Sequence, residues 1–499
     1  MLISYSVKVL FYPKKIIYFS YQVILLKVLL TLPPEVHKLE IYKVTGMSAP
    51  PLGLAYIGAV LENAGHKVKI IDSPTLKISF QDWISEVKSW DPDIVGISML
   101  TPLAPKGYVA AKLVKEELGN DVIVIAGGPH PTYMYEEALS NNIDIVVRGE
   151  GEYTTLELVN AIEKHGLNKN VLKNIKGIAF RDYSGKVVVT PPRPFIQNLD
   201  ELPWPARHLL PMDKYTLFSK PIRIAHVMAS RGCPYGCIYC ITSYFWGRRI
   251  RFRSAKNVAD EVEFLVNKYK ANHIAFSDDD LVINKRFVRE FIDEIKKRGL
   301  DITFSCGSRV NHINKEILKT LYDNGCTALY FGVESASQET LDRIGKRITL
   351  EQAERVFKWV KELKGFALGS FILGFPWETI DDMKKTVDFA IKLDPDYVQF
   401  TALTPYPGTP LFEYAKKHNL IEDWNWEHYT TVKPVMRGFH FTRKELGKMI
   451  KYAYRKFYLR SKFIIRELKA GRLKDLSGIL MREIFSWMRD KIYEFLRWK

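Results

Sequence analysis

The chain has 499 residues, 47% of them apolar, and a formal net charge of +17. That length and apolar content support two or three domains with real cores and exclude a chain too small or too polar to bury one. Its five cysteines, three of them between Cys233 and Cys240, make no disulfide framework and suit a reducing cytoplasm.

The charge is uneven. Between Arg443 and Lys499 there are 17 Lys/Arg and 6 Asp/Glu, so this tail holds +11 of the total and the rest of the chain only +6. A positive balance raises nucleic acid, an anionic membrane and acidic substrates as partners. The first 26 residues are apolar and aromatic, but their uncharged run, Ile16–Leu26, has only 11 residues. A bilayer span needs about 20, and no small-residue cleavage site follows. Residues 1–23 read as an extension ahead of the first strand.

From Ile24 to about Lys164 short apolar runs alternate with amphipathic segments. The runs Ile24–Leu32, Lys67–Asp72, Ile94–Met99, Val122–Ala126 and Ile143–Val147 predict strands buried on both faces. The segments Leu52–Ala64, Phe80–Trp90, Lys106–Leu118, Tyr133–Ser140 and Thr154–Lys164 predict helices. Residues 24–165 therefore form an α/β domain with a doubly wound parallel sheet, whose ligands bind at the carboxyl ends of the strands. Those ends carry Ser98–Thr101, Gly127–Thr132 and Arg148–Glu152. Each also suits an ordinary strand-to-helix turn, with Gly127 and Gly128 at the bend and His130 as a cap.

Residues 166–222 read as a connector. In it Gly177–Arg181 and Lys186–Thr190 flank Asp182-Tyr-Ser-Gly185, a hairpin signal, and a proline-rich run follows from Leu202 to Pro211. From residue 223 to 420 the alternation resumes six times. Strands are expected at Ile224–Ala229, His273–Ser277, Ile302–Cys306, Ala328–Val333, Ala367–Leu373 and Tyr397–Leu403, with a helix over Val258–Tyr269 capped by Ser254 or Asn257. Six units make a partial barrel of the TIM type, with its chemistry at the carboxyl ends of the strands. Residues 421–499 are basic and helical, with Ile479, Leu480, Ile484, Phe485, Trp487, Met488, Ile492, Phe495 and Leu496 on one stripe. Such a helix lies on an anionic bilayer or packs on the barrel with a solvated basic face.

The chemistry centres on Arg231-Gly-Cys-Pro-Tyr-Gly-Cys-Ile-Tyr-Cys240. Cys233, Cys237 and Cys240 are spaced to converge on one metal centre, and Gly232 and Gly236 let the backbone wrap it. Three thiolates fill three irons of a four-iron cluster and leave the fourth open. A zinc knot or core cysteines are the alternatives. Zinc takes four ligands in paired spacings, and no His or Cys follows closely after Cys240.

Cys233-x3-Cys237-x-Tyr239-Cys240 resembles the signature of radical S-adenosylmethionine (SAM) enzymes. The resemblance implies a [4Fe–4S] cluster on the three cysteines, SAM chelated at the open iron, and cleavage to a 5′-deoxyadenosyl radical. It sets Tyr239 against the adenine and Ser277, Asp278 and Asp279 toward the SAM amino group, while Asp280 reads as a helix N-cap. Arg309 faces the SAM carboxylate or makes a surface salt bridge. Glu334 and Ser335 take ribose hydroxyls and the methionyl end, and the backbone near Ile372 and Gly374 edges the adenine. Thr404–Pro410 lines the substrate side, and Cys306 and Cys326 are core residues.

The first domain, including Pro50-Pro-Leu-Gly-Leu-Ala-Tyr-Ile-Gly-Ala59, resembles the cobalamin-binding domain of the cobalamin-dependent subfamily. Its implied contacts are Ser98, Thr101, Gly127, Gly128, His130, Gly149 and Glu150. The Asp-x-His-x-x-Gly motif is absent, so cobalamin would be base-off with no histidine from that motif, or the domain would be degenerate. Together these likenesses imply hydrogen abstraction from an unactivated carbon, followed by methylation or by C–C bond or ring formation. They also imply an external electron donor such as ferredoxin or flavodoxin. The basic tail turns the substrate expectation toward a membrane lipid or isoprenoid and the location toward the inner face of the cell membrane, with a tetrapyrrole as the alternative. A tRNA methylthiotransferase needs further cluster cysteines, and none precedes Cys233, so nucleic acid is not expected. A non-catalytic cobalamin or redox sensor is the rival from another class.

Overall fold

Two parallel sheets organise the chain in a computed structural model that describes residues 25–38, 49–217, 220–221 and 224–470. The expected extension over residues 1–23 and the apolar stripe from Ile479 to Leu496 lie outside the described residues.

The first sheet is built from β1 (Lys27–Leu32), β2 (Lys67–Asp72), β3 (Ile94–Ser98), β4 (Ile123–Gly127), β5 (Ile145–Val147), β6 (Ile178–Arg181) and β7 (Val187–Val189). Its order is β2-β1-β3-β4-β5-β6-β7. The first five are parallel because helices Leu52–Asn63, Phe80–Trp90 and Ala104–Leu118 cross back between them. Val28, Leu30, Ile94, Ile125 and Ile145 face one layer of helices, while Leu29, Val95, Ile97, Val124 and Val146 face the other. That two-sided burial explains the unbroken apolar runs. The strand order reverses at β1 and β3, which places the binding crevice beyond their carboxyl ends.

Two expectations change here. The hairpin read as part of the connector is β6 and β7, which extend the first sheet antiparallel from β5. Its inward side chains Ile178 and Phe180 are buried in the same core, so apolar burial draws the hairpin onto the sheet edge. The segment Tyr133–Ser140 is two short helices, Pro129–Tyr133 and Tyr135–Leu139, broken at Met134.

The second sheet holds β8 (Ile224–Val227), β9 (His273–Phe276), β10 (Thr303–Ser308), β11 (Cys326–Glu334), β12 (Ala367–Leu373) and β13 (Tyr397–Ala402), parallel and in sequence order. It is a partial barrel with β8 and β13 as its edges. Helix Ala255–Tyr269 starts at Ser254, whose side chain accepts the Asn257 amide; Asn257 instead receives Arg253 Nε at 2.9 Å. Cys306 and Cys326 are buried in the barrel core.

The start of the basic tail covers the β13 edge. Leu446, Met449, Ile450, Ala453 and Phe457 of helix Arg443–Tyr458 are buried against the barrel. The Tyr458 hydroxyl accepts from Val398 N at 3.0 Å and donates to Val398 O at 2.6 Å, and Tyr454 Oη accepts from Phe400 N at 3.3 Å. Backbone groups of an open edge are thus satisfied by a helix instead of a further strand.

Candidate active site

The cysteine loop follows β8 and is held from three sides. Cys233 N donates to Gly247 O at 3.1 Å, Ile238 N to Ile344 O at 3.1 Å, and Leu411 N to Ile238 O at 3.0 Å. Gly232 sits at φ +96, where a Cβ would fall 2.4 Å from Arg249 O, so only glycine fits that crossing. Burial raises the Cys233 thiol and pushes that of Cys240 up to about 11. Deprotonated sulfurs there need a compensating positive centre.

The acidic run after β9 splits into separate tasks. Asp278 is buried and accepts from Ala229 N at 3.0 Å and from the Ser230 hydroxyl, tying the run to the cysteine loop. Burial lifts its carboxyl to about 6. Asp279 is exposed and takes the Thr242 hydroxyl at 3.0 Å, while Ser277 is exposed beside it. Asp280 makes no capping bond, contrary to expectation. It is drawn away by Ser308 Oγ at 3.2 Å, at the end of β10, and by His312 Nδ1 at 2.7 Å, beyond it. His312 in turn meets the hydroxyl of Tyr235, inside the cysteine loop.

Arg309 makes no surface salt bridge: it is buried, stacked 3.6 Å over the Tyr235 ring, with Nη1 3.9 Å from Cys237 Sγ. Its Nη2 is buried without a partner. An unpartnered guanidinium nitrogen beside a thiol calls for an anion.

β11 ends in a bulge against β12, and Glu334 there has φ +71. Bulges re-aim side chains, and strained backbone of this kind collects at functional sites. The Glu334 carboxylate pairs with buried Lys346 at 2.5 Å and also meets the Tyr239 hydroxyl. Lys346 escaped the sequence reading because it arrives from the turn after helix Gln338–Arg343. Gly332 makes room: its Cβ would lie 2.3 Å from Glu334 Oε1 and 2.7 Å from Lys346 Nζ. Tyr239 packs its ring edgewise on Phe375 at 6.2 Å.

Glu378 is the hub of the next loop. Its Oε2 accepts from Gly374 N at 3.1 Å and Phe375 N at 3.0 Å, and its Oε1 takes Ser335 Oγ at 3.3 Å. Burial pushes its carboxyl up to about 7. Ser335 and Ile372 are buried, and the open side of Gly374 is filled by Leu446.

The first domain meets the barrel through buried charge. Glu150, expected at a cofactor, accepts instead from Arg231 at 3.3 Å, Arg251 at 2.9 Å and Ile196 N at 2.7 Å. Glu152 holds Arg231 at 2.5 Å, and Arg231 lies over the Tyr56 and Trp246 rings. Burial explains the change: two arginines entering the seam require carboxylates. His130 is also enclosed. Trp426 stands edgewise on it at 5.1 Å, and Trp426 Nε1 donates to Glu137 at 3.0 Å. Tyr133 fills the space beside Gly408, where a Cβ would fall 2.4 Å from the ring. Thr101 is buried, while Ser98 is half-buried at the strand end. Gly128, φ +102, crosses Met99 O so closely that a Cβ would lie 2.7 Å away.

Residues 227–390 match the radical SAM superfamily and residues 41–159 the B12 binding domain. An uncharacterised methyltransferase of Pyrococcus horikoshii is 44% identical over 445 residues, covering 89% of this chain and 95% of that relative. The chain belongs to the cobalamin-binding radical SAM family. An anaerobic magnesium-protoporphyrin IX monomethyl ester cyclase of Rubrivivax gelatinosus is 30% identical over 455 residues, 90% of this chain and 81% of the cyclase. Among solved structures, the cobalamin-dependent SAM radical enzyme OxsB, with aqua-cobalamin and SAM bound, superposes with a TM-score of 0.73 at 18% identity, over 95% of this chain and 74% of that one.

The residues of this radical SAM enzyme fit its cofactors. Among the described residues no three His, Cys, Asp or Glu side chains converge on a point that one metal ion would occupy. Three thiols with the unpartnered Arg309 nitrogen suit an anionic [4Fe–4S] cluster and the carboxylate of SAM. At the crevice, Gly149 has φ +77 with nothing within 4 Å of its Cβ position, and Leu100 is 53% exposed. That open rim suits cobalamin, and His130, enclosed against Trp426, would not be available to it as a ligand.

Proposed function

We propose that this cobalamin-dependent radical SAM enzyme methylates an unactivated carbon of a membrane lipid or isoprenoid. The observation that carries the reaction is Arg231. It stands two residues before Cys233 and is gripped by Glu150 and Glu152 from the end of β5, so the cysteine loop and the cobalamin-side loops share one seam. When bound, the cluster with SAM would supply a 5′-deoxyadenosyl radical and cobalamin a methyl group. Cys233, Cys237 and Cys240 would hold the cluster, and Arg309 would offset the negative charge of the thiolate-bound cluster. Glu334, backed by Lys346, presents an acceptor to SAM hydroxyl or ammonium groups. Trp426 and the Tyr133–Gly408 contact close the seam against water, which protects a reactive radical.

Support for a lipid comes from the chain's basic end. On helix Ser461–Lys469, Ile465 is 50% and Leu468 56% exposed, beside Lys462 and Lys469. Apolar side chains with flanking lysines suit a bilayer interface. A second reading, modification of a tetrapyrrole, is favoured by the likeness to the ester cyclase.

The test is anaerobic incubation of reconstituted protein with methyl-labelled SAM, reductant and total lipid extract, read by mass spectrometry. A lipid heavier by one labelled methyl supports the proposal. A changed mass of an added magnesium-porphyrin ester, whether by a labelled methyl or by ring closure, with no label in lipid, supports the second reading instead. Anionic liposomes should sediment the full chain more than a chain ending at Ala470; ending it at Thr442 would strip the cover from β13.

A further inference from the structure

The reaction needs an electron from outside, and the surface over the cysteine loop shows where it enters. Two turns press on that loop. Gly236 lies under Arg248, whose guanidinium would be 2.8 Å from a Cβ there. On the other side, Gly345 O lies 3.6 Å from Cys237 Sγ. The first turn exposes Arg248 and Arg249, the second Arg343 and Arg347, and Pro234 at the tip of the loop is exposed between them. Among the described residues none of these four arginines has a carboxylate partner. Arg248 rests over the Tyr244 ring and Arg343 over Trp377, contacts that leave the positive charge uncompensated. The exposed carboxylates of the preceding helix, Glu339 and Asp342, form no ion pair with these arginines, and Asp342 accepts from Gln338 at 2.9 Å. An open cleft lined by Phe252, Lys285, Asn311 and His312 adjoins the patch, and His312 touches Tyr235 of the loop.

Unpaired exposed arginines destabilise the compact state by self-repulsion, and they steer a partner of opposite charge. We propose that Arg248, Arg249, Arg343 and Arg347 form the docking surface for a small acidic one-electron carrier protein. This rests on the proposed function, because only a redox reaction at the three cysteines requires such a partner. One electron leaves the reduced centre of the carrier, which is oxidised. The cluster on Cys233, Cys237 and Cys240 gains it and is reduced; no atom or proton moves. The Gly236–Cys237 segment lies directly beneath the patch, so the route is short.

The test compares the reconstituted full chain with R249E/R347E, one reversal on each turn. Arg248 is left in place because it packs on Gly236, whereas Arg249 and Arg347 are exposed and have no ion pair among the described residues. The probe is a purified [4Fe–4S] ferredoxin of net negative charge. Its dissociation constant at low salt should rise at least tenfold in the variant, and wild-type binding should weaken with added salt. SAM cleavage driven by the reduced ferredoxin should slow in parallel, while dithionite-driven cleavage stays within twofold. Equal ferredoxin binding by both proteins would overturn the surface. So would unchanged ferredoxin binding with lost affinity for a single-stranded RNA, which assigns the patch to nucleic acid, or loss of dithionite-driven cleavage in the variant. If wild-type protein binds ferredoxin through these arginines yet never cleaves SAM, the proposed function fails and the surface stands.

Discussion

Replacing Glu150 by Gln separates a cofactor contact from a keystone between domains. Glu150 is 7% exposed and receives Arg231 at 3.3 Å, Arg251 at 2.9 Å and Ile196 N at 2.7 Å. Removing one partner of a buried ion pair costs about 3–5 kcal/mol. The lower end applies, because Arg231 keeps Glu152 and Arg251 keeps the carbonyls of Ile196 and Trp246. At about 2.1 cal/mol/K per residue, a cooperative unit of 499 residues has an unfolding entropy near ~1 kcal/mol/K, so ~3 kcal/mol lowers Tm by about 3 °C. Differential scanning calorimetry reads that shift, and spectroscopic titration reads cobalamin affinity. A fall in Tm with affinity kept within threefold is expected. An unchanged Tm with affinity reduced tenfold would refute the reasoning and return Glu150 to the cofactor.

Alanine at Cys233, Cys237 or Cys240 should abolish SAM cleavage and lower bound iron, whereas Cys306→Ala should keep both, since Cys306 is a core residue; equal iron loss from Cys306→Ala would contradict the assignment. Gly332→Ala should weaken SAM binding at least tenfold, measured by equilibrium dialysis, because its Cβ would strike Glu334 Oε1 at 2.3 Å; unchanged affinity would remove Glu334 from the site. Stability should also depend on pH. Burial raises Glu378 from 4.5 to about 7 and Asp278 from 3.8 to about 6, so the folded state binds protons more tightly than the unfolded one. That contribution is complete below about pH 4 and is lost as pH rises through about 6 to 7, by roughly 3 kcal/mol for Glu378 alone. Denaturation midpoints between pH 5 and 8 should show this fall, and Glu378→Gln should flatten it; an identical slope in the variant would exclude Glu378 as its source.

Local chemistry is legible in the amino-acid sequence. Strand runs such as Ala367–Leu373 coincide with the observed strands, because burial on both faces demands continuous apolar residues. The three cysteines are legible for a similar reason: a spacing of four and three keeps the ligands within one loop. Ser254 caps its helix as expected, since capping needs only three successive residues.

What joins distant segments is not legible there. Lys346 reaches Glu334, His312 reaches Asp280, and Glu378 gathers Ser335 and Gly374, but no local period marks a buried polar partner. Glu150 and His130 resemble crevice residues because glycine-rich strand ends look alike, whether they face a ligand or another domain. The sequence by itself determined two α/β units, most of their strands and the cysteine centre, because periodicity and close ligand spacing are local properties. Only the tertiary structure decided which strand-end residues stay open and which are spent on the domain seam. That choice depends on which buried charge finds a counter-charge across the chain, from Arg231 to Glu150 and Glu152.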